Sequence, residues 1–491
     1  MTSPLVSSNT FIRMPREDRE PPRLDAVRHL LPVPHWEGHE RAVDCYWKVW
    51  DLAFRNIRRP TAENGFVANY IDTAFNDNLF MWDSAFILLF ARYAVKAFDF
   101  QRTLDNLYCK QYADGFICRE IRESDGCDAW HRFDPSATGP NVMPWTEWEY
   151  WLATGDRDRL SRVFIPLAAF HRWMRAYRTW PDGTYWANGL SCGMDNQPRM
   201  PADEDRAHYH GHLSWIDTCF QQVFAAGLLG RMAAILGRDG DAADFREEHA
   251  RLSAFINKSM WDGSKAFYFD RRPDGGLTGV KTVGAYWGLA AGAVPADRVG
   301  PFTAHLANRA EFDRPHRVPT LAADHGDYHA DGGYWLGAVW PPTNYMVMYG
   351  LRKYGMDPLA HEIALNHHDM VVRVFGKTGT VHENYAPESA NPGNPAKADF
   401  VGWGGLGPTA VLFEHVMGIQ PDVPAGKLVW DVRLIDAHGV TGYPFGNKGV
   451  VDLSCAGRSR AEDRPEVRIR ASCPLSVVVR WDGGTETVKA G

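Results

Sequence analysis

Carboxylates and aromatic rings fall together in the same short stretches of this chain. One stretch holds Phe75, Asn76, Asp77, Asn78, Phe80, Trp82 and Asp83, and a second holds Asp114, Gly115, Arg119, Glu120 and, further on, Trp145. A third runs Gly193, Met194, Asp195, Asn196, Gln197, Pro198 and Arg199; a later one carries Asp324, Asp327, Asp331, Tyr334, Trp335 and Trp340. The last holds His382, Glu383, Asn384, Tyr385, Glu388 and Trp403. Hydrolysis of a glycosidic bond needs such a set, because one protonated carboxylic acid must meet the leaving oxygen while a second carboxylate activates water or attacks carbon. Flat rings then supply a platform for the sugar, and 19 Trp with 13% aromatic residues exceed what a core requires.

These stretches must be brought together by the elements between them. Apolar spacing predicts helices over approximately 39–58, 83–97, 99–112, 145–154, 159–179, 209–237, 241–259, 282–292, 297–308, 335–353, 357–375 and 406–418. Segments such as DSAFILLFARY and GPTAVLFEHVMG are apolar nearly all round, whereas DAADFREEHARLSAFINKSM carries a charged face. Alternation of the two kinds predicts an inner ring of helices wrapped by an outer one, an (α/α)6 barrel over approximately 26–420 whose loops open at one end. The segments KLVWDVRLI, GVVDLSC, EVRIRASC and LSVVVRW alternate with period two, so a small C-terminal β-sandwich is expected over approximately 427–491. The polar start, approximately 1–25, lacks an apolar signal core and reads as a flexible N-terminal arm.

Composition narrows the function classes. A chain of 491 residues is long enough for a large core, and 53 Lys plus Arg against 60 Asp plus Glu, with no basic run, argues against nucleic acid as a partner. No apolar run is long enough to span a bilayer, so no membrane partner is expected. The 8 Cys contain no Cys-x-x-Cys pair, which points to free thiols and a cytoplasmic location, and argues against a zinc knuckle at Cys109, Cys118 and Cys127. Alternate His and Asp in DHGDYHAD would allow a metal site, but a hydrogen-bonded loop is the preferred reading. No metal and no organic cofactor is expected, and both monomer and homodimer fit the sequence.

Five motifs carry a family resemblance. NLFMWDSAF resembles the Trp-Asp-Ser signature of trehalases, glycoside hydrolase family 37, and SCGMDNQPR resembles the acid-bearing loop of trehalases and of family 63. GGYWLGAVWPPTNY, VHENYAPES and NVMPWTEWEYW are similar to segments of the bacterial family 63 branch that contains mannosylglycerate and glucosylglycerate hydrolases. The resemblance implies an inverting (α/α)6 glycosidase with Asp195 as general acid and Glu383 as general base. With that pair accepted, the mechanism requires Asp195 to stay protonated near neutral pH, through desolvation or a neighbouring carboxylate, while Glu383 stays ionised. Trp82, Asp83, Asn76, Phe80, Trp145, Gln197, Arg199, Tyr334, Trp335, Trp340, Tyr385 and Trp403 are the candidate substrate contacts. The chain departs from these relatives at Asn76 and Phe80, and at Leu336 and Ala338, where Arg and Pro are common.

The expected activity is exo-acting, inverting cleavage of an α-glycosidic bond, in the first instance an α-glucoside, in a small soluble saccharide or glycoside. A mannoside or furanoside on the same two carboxylates is one alternative. A sugar epimerase using His208, His210 and His212 is another, and a carbohydrate-binding protein without catalysis is a third.

Overall fold

The computed structural model describes residues 2–201 and 203–491. Twelve helices matter for the site: α1 (Glu40–Arg55), α2 (Met81–Ala91), α3 (Thr103–Cys109), α4 (Met143–Thr154), α5 (Arg157–Tyr177), α6 (Ile216–Ile235), α7 (Asp239–Ser259), α8 (Trp287–Ala291), α9 (Ala296–Thr303), α10 (Pro341–Lys353), α11 (Asp357–Thr378) and α12 (Leu406–Val416). The last is wound with wider, π-helical turns. Contacts run from α2 to α4, to α6, to α8, to α10, to α12 and back to α2, so the apolar helices close a ring. The amphipathic α5, α7 and α11 lie outside it, against α6 and against α10 and α12.

Sequence dictates which helix lies where. All residues of α2 are buried, including Phe86, Ile87, Leu88, Leu89 and Phe90, and each such side chain contributes about 1.5–3 kcal/mol through loss of apolar contact with water. In α7 only Ala242, Phe245, Glu248, Leu252 and Ile256 are buried, one stripe at intervals of three and four, so the rest of that helix faces solvent.

Two boundaries differ from the sequence expectation for identifiable reasons. Helix α10 starts at Pro341 and not near 335, because the residue before a proline is driven to extended backbone, as Trp340 is at φ −109° and ψ 128°. Helix α6 starts at Ile216 and not near 209, since the polar run HYHGH forms turns ahead of it.

The C-terminal region forms two four-stranded sheets built from β1 (Val33–Trp36), β2 (Ile419–Asp422), β3 (Lys427–Asp431), β4 (His438–Phe445), β5 (Gly449–Cys455), β6 (Val467–Ala471), β7 (Leu475–Trp481) and β8 (Gly484–Ala490). One has the order β1-β4-β5-β6, the other β8-β7-β3-β2 with β3 and β7 parallel. Strand β1, which precedes the helices, pairs with β4 in the register Val33↔Thr441 to Trp36↔His438. The β region therefore borrows a strand from the start of the chain and begins at Ile419, ahead of the sequence boundary. Residues expected as a flexible arm are packed instead: Phe11 is buried against Tyr108, and Asn9 Nδ2 donates to the Tyr108 carbonyl (3.0 Å). A single large aromatic, easily overlooked in a polar stretch, has enough apolar area to hold that strap down. Among the described residues no helix is long and apolar enough to cross a membrane.

Candidate active site

Loops at one end of the helical ring enclose a cavity of about 210 Å³. Its floor begins with a two-stranded ribbon in which Asn78–Phe80 pairs with Glu120–Arg122, Phe80 opposite Glu120. Asn78 Nδ2 donates to Glu120 Oε1 (2.8 Å) and the Met81 N–H donates to the Arg119 carbonyl (2.7 Å). Helix α2 starts from this ribbon, so Trp82 and Asp83 stand in its first turn facing the cavity.

The Asp195 loop is set by a capping box, in which the Asn188 side chain accepts from the Ser191 N–H and the Ser191 hydroxyl receives the Asn188 N–H. The short turn Gly189–Cys192 ends at Gly193 with φ +79°, left-handed backbone that glycine adopts without cost, and a Cβ there would press on the Trp82 ring at 3.2 Å. Asn196 then ties this loop to the next one: its Nδ2 donates to the Gly333 carbonyl (3.0 Å) and its Oδ1 accepts the Trp335 N–H (2.9 Å).

Glu383 reaches the same cavity from a later loop. The Tyr334 hydroxyl donates to its Oε1 (3.3 Å) and the Lys397 N–H to its Oε2 (3.2 Å), while the Trp403 indole holds its backbone carbonyl (2.7 Å). Tyr334 has φ +66°, an uncommon conformation for a bulky residue, and it places the phenol among all three carboxylates. Aromatic edges close the mouth, with Phe75 near Phe80 and Phe400, and Phe400 near Trp403.

Electrostatics distinguish the carboxylates. Burial, then the Glu383 charge, push the Asp83 carboxyl up to about 8. Burial raises Asp195 to about 6, against the downward pull of Arg119. Glu383 is also raised by burial, with the Lys397 N–H and Tyr334 hydroxyl favouring its ionised form. Near neutral pH Asp83 is thus protonated and both oxygens of Glu383 are supplied with donors, whereas Asp195, expected to be protonated there, holds its proton only up to about pH 6.

Of the candidate contacts, Asn76, Phe80, Trp82, Asp83, Tyr334, Trp335 and Trp403 line the cavity together with Asp195 and Glu383. Five do not. Trp145 is buried among Phe86, Phe224, Trp287 and Tyr345. Gln197 spans Thr320 and Thr282 by hydrogen bonds of 2.8 and 2.7 Å, and Arg199 is a fully buried cation between Asp217 (2.9 Å) and Asp270 (3.4 Å). Trp340 is stacked behind Trp335 at 3.7 Å, and Tyr385 is buried with its hydroxyl accepting the His382 N–H (3.2 Å). These side chains brace the wall and do not face the space.

The structure adds Arg119 and Glu120 as cavity residues, with Phe75, Phe400 and the backbone at Gly139 and Pro140. Arg119 and Glu120 follow a Gly-Phe-Ile-Cys segment among other charged residues, and Phe400 has no distinguishing neighbour in sequence.

The rival clusters are committed elsewhere. Glu388, the nearest competitor of Glu383, is paired with Arg314 (2.7 Å) and accepts from the Tyr328 hydroxyl (2.6 Å). His208, His210 and His212 lie outside the cavity lining, His210 receiving the His212 N–H (2.9 Å). In DHGDYHAD, Asp324 is held by Lys281, Asp327 by Arg206 and Asp331 by Asn394, three separate partners. Among the described residues no group of three or more His, Cys, Asp or Glu side chains is arranged to hold a metal ion.

A family model, the mannosylglycerate hydrolase MGH1-like glycoside hydrolase domain, matches residues 76–403, the stretch that contains every cavity-lining carboxylate named above. An uncharacterized protein of Borreliella burgdorferi is 22% identical over 310 residues, covering 61% of this chain and 63% of that protein, so the match leaves over a third of that relative unspanned. The mannosylglycerate hydrolase of Thermus thermophilus is 24% identical over 351 residues, 57% of this chain and 83% of that one. A crystal structure of a family 63 mannosylglycerate hydrolase from Thermus thermophilus in complex with glucose superimposes with a TM-score of 0.59 at 22% identity, covering 74% of this chain and 99% of that chain.

Proposed function

Because the chain belongs to the mannosylglycerate hydrolase MGH1-like glycoside hydrolase family, we propose that it hydrolyses an α-glycosidic bond in a small saccharide or glycoside, an α-glucoside first, with inversion at the anomeric carbon. The closed ring of helices is read as an (α/α)6 barrel carrying the site at its open end. Asp195 acts as general acid and Glu383 as general base. The observation that carries this reading is that Asp195 and Glu383 line one cavity, Asp195 raised by burial to about 6 and Glu383 accepting at both oxygens hydrogen bonds that favour its ionised form.

In the proposed reaction, Asp195 gives its proton to the glycosidic oxygen as the bond to the anomeric carbon breaks. Glu383 takes a proton from a water that attacks the opposite face, so the configuration is inverted in one displacement. Asp83, protonated at neutral pH, donates to a ring hydroxyl, and Trp82 and Trp335 offer faces to the sugar. A cavity of about 210 Å³ lies below the usual range for drug-sized ligands and suits one sugar ring with the leaving group at the mouth, which favours exo action.

The test is a screen of α- and β-linked disaccharides, trehalose, glucosylglycerate and mannosylglycerate, with product anomers followed by proton NMR before mutarotation. Release of a β-anomer from an α-linked substrate supports the proposal, with turnover falling about 10²–10⁴-fold in both Asp195→Asn and Glu383→Gln. Release of the α-anomer from an α-linked substrate refutes inversion, and full activity in either variant refutes the role given to that residue.

A further inference from the structure

The opposite end of the ring holds a second cavity, of about 380 Å³, whose lining includes Arg231, Arg246, His249 and Lys353 and no acidic residue. Helix geometry places it far from the sugar site. Helix α10 runs from Trp340, behind the catalytic wall, to Lys353, and helix α6 runs from Asp217, the partner of Arg199, to Arg231. At 1.5 Å per residue both paths amount to about 20 Å.

What distinguishes this cluster is that its cations line one cavity that holds no carboxylate. On the neighbouring α5 and α7, the half-buried Arg172 is matched by Asp241 and Asp244 and Arg175 by Asp244 and Glu248, while the exposed Arg157, Arg162, Arg251 and Lys258 stand apart on the surface without a salt bridge among the described residues. Arg231, Arg246 and Lys353 form no salt bridge among the described residues, and all three are reachable from solvent. What they have instead are ring faces and carbonyls. Arg231 lies over Trp148 at 4.2 Å, Lys353 Nζ donates to the Ala290 carbonyl (2.9 Å), and His249 Nε2 lies 3.2 Å from the Ala291 carbonyl.

The cluster is also held under mutual repulsion. Loss of water around the ammonium, and then the Arg231 charge, bring Lys353 down to about 8, and burial first, then the Lys353 charge, disfavour protonated His249. Two glycines let the side chains approach this closely. A Cβ on Gly292 would meet Lys353 Cε at 2.9 Å, and one on Gly227 would meet His249 Cδ2 at 3.1 Å. Like charges gathered around a concavity without carboxylates repel one another, and a multiply charged anion between them would offset that repulsion.

We propose that Arg231, Arg246, His249 and Lys353 form a binding site for a small phosphorylated molecule at the end of the ring remote from the glycosidase site. The guanidinium groups offer paired donors to phosphate oxygens, and Lys353 supplies a compact point charge. A volume of about 380 Å³ admits a phosphate with a sugar-sized substituent. The proposal stands whether or not the glycosidase reading holds, since none of its residues touches the catalytic cavity.

Titration calorimetry of the full chain with inorganic phosphate and with glucose 6-phosphate, at ionic strength matched by chloride and with glucose as a control, tests it. Saturable binding is expected, weakened about tenfold or more in Arg231→Gln and in Lys353→Gln, because each removes a charge-assisted contact to the anion. Turnover of glycosides in the two variants should match the parent. Equal affinity for phosphate and ester identifies the free ion as the ligand, and a tighter ester identifies a sugar phosphate; both support the site. Absence of saturable binding by either probe overturns the proposal. So does binding that survives both substitutions, which would point to Arg119 at the catalytic mouth.

Discussion

The two ends of the helical ring treat buried carboxylates in opposite ways. Away from the catalytic cavity, Glu414 on α12 receives Arg92 (2.6 Å), the Tyr93 hydroxyl (2.6 Å) and the Tyr345 hydroxyl (2.7 Å), so every oxygen is occupied. At the open end, Asp83, Asp195 and Glu383 share one cavity and none forms a salt bridge among the described residues; Arg119, which lines the same cavity, is paired with Glu120. Groups that hold helices together are neutralised by partners on other helices. Groups left under tension, with pKa values displaced by burial, are available for proton transfer.

The largest effect that would break this contrast is at the tied end. Glu414→Gln strands the buried Arg92 guanidinium, and a loss of about 3–5 kcal/mol in unfolding free energy by urea titration is expected. Stability unchanged in that variant would mean that the network is not needed by the fold. The open end should behave in the reverse sense. Asp83 has a folded pKa of about 8 against 3.8 for the free side chain, so the folded state holds a proton that the unfolded chain releases as pH rises. The parent then loses stability between about pH 4 and 8, whereas Asp83→Asn, which is neutral throughout, does not. Its melting temperature should exceed that of the parent at pH 8 and match it at pH 4; equal values at both would remove the claim of an unpaired, proton-holding group.

A smaller effect concerns Asp195, the proposed acid. The Arg119 charge lowers Asp195, so Arg119→Gln should move the alkaline limb of kcat/KM to higher pH by less than about one unit. A shift toward lower pH would show that Arg119 acts on Asp195 through position and not through charge.

Much of this was legible in the residues. The apolar all-round segments became the ring and the amphipathic ones its outer layer, because burial on every side and burial on one stripe leave different periodicities. The loops rich in acids and rings do converge. Direction within a loop was not legible: Asp195 faces the cavity while Gln197 and Arg199, two and four positions later, turn into the wall. Arg199 looked like a substrate contact, yet Asp217 and Asp270 neutralise it, and those partners are near only in space. Phe400 reaches the mouth through its packing on Trp403 and Phe75, which no local pattern announces. The strap at Phe11 was missed for the same reason, its pocket being assembled from helices far along the chain.

Trp335 and Trp340 lie face to face, 3.7 Å apart and within 6° of parallel, with Trp335 forming part of the cavity wall and Trp340 touching Trp403 edge-on. Two indoles so placed couple their excited states, and the coupling depends steeply on their mutual angle. The stack is therefore expected to mark the circular dichroism of the unlabelled protein, and a ligand that shifts Trp335 in the cavity wall is expected to change that signal.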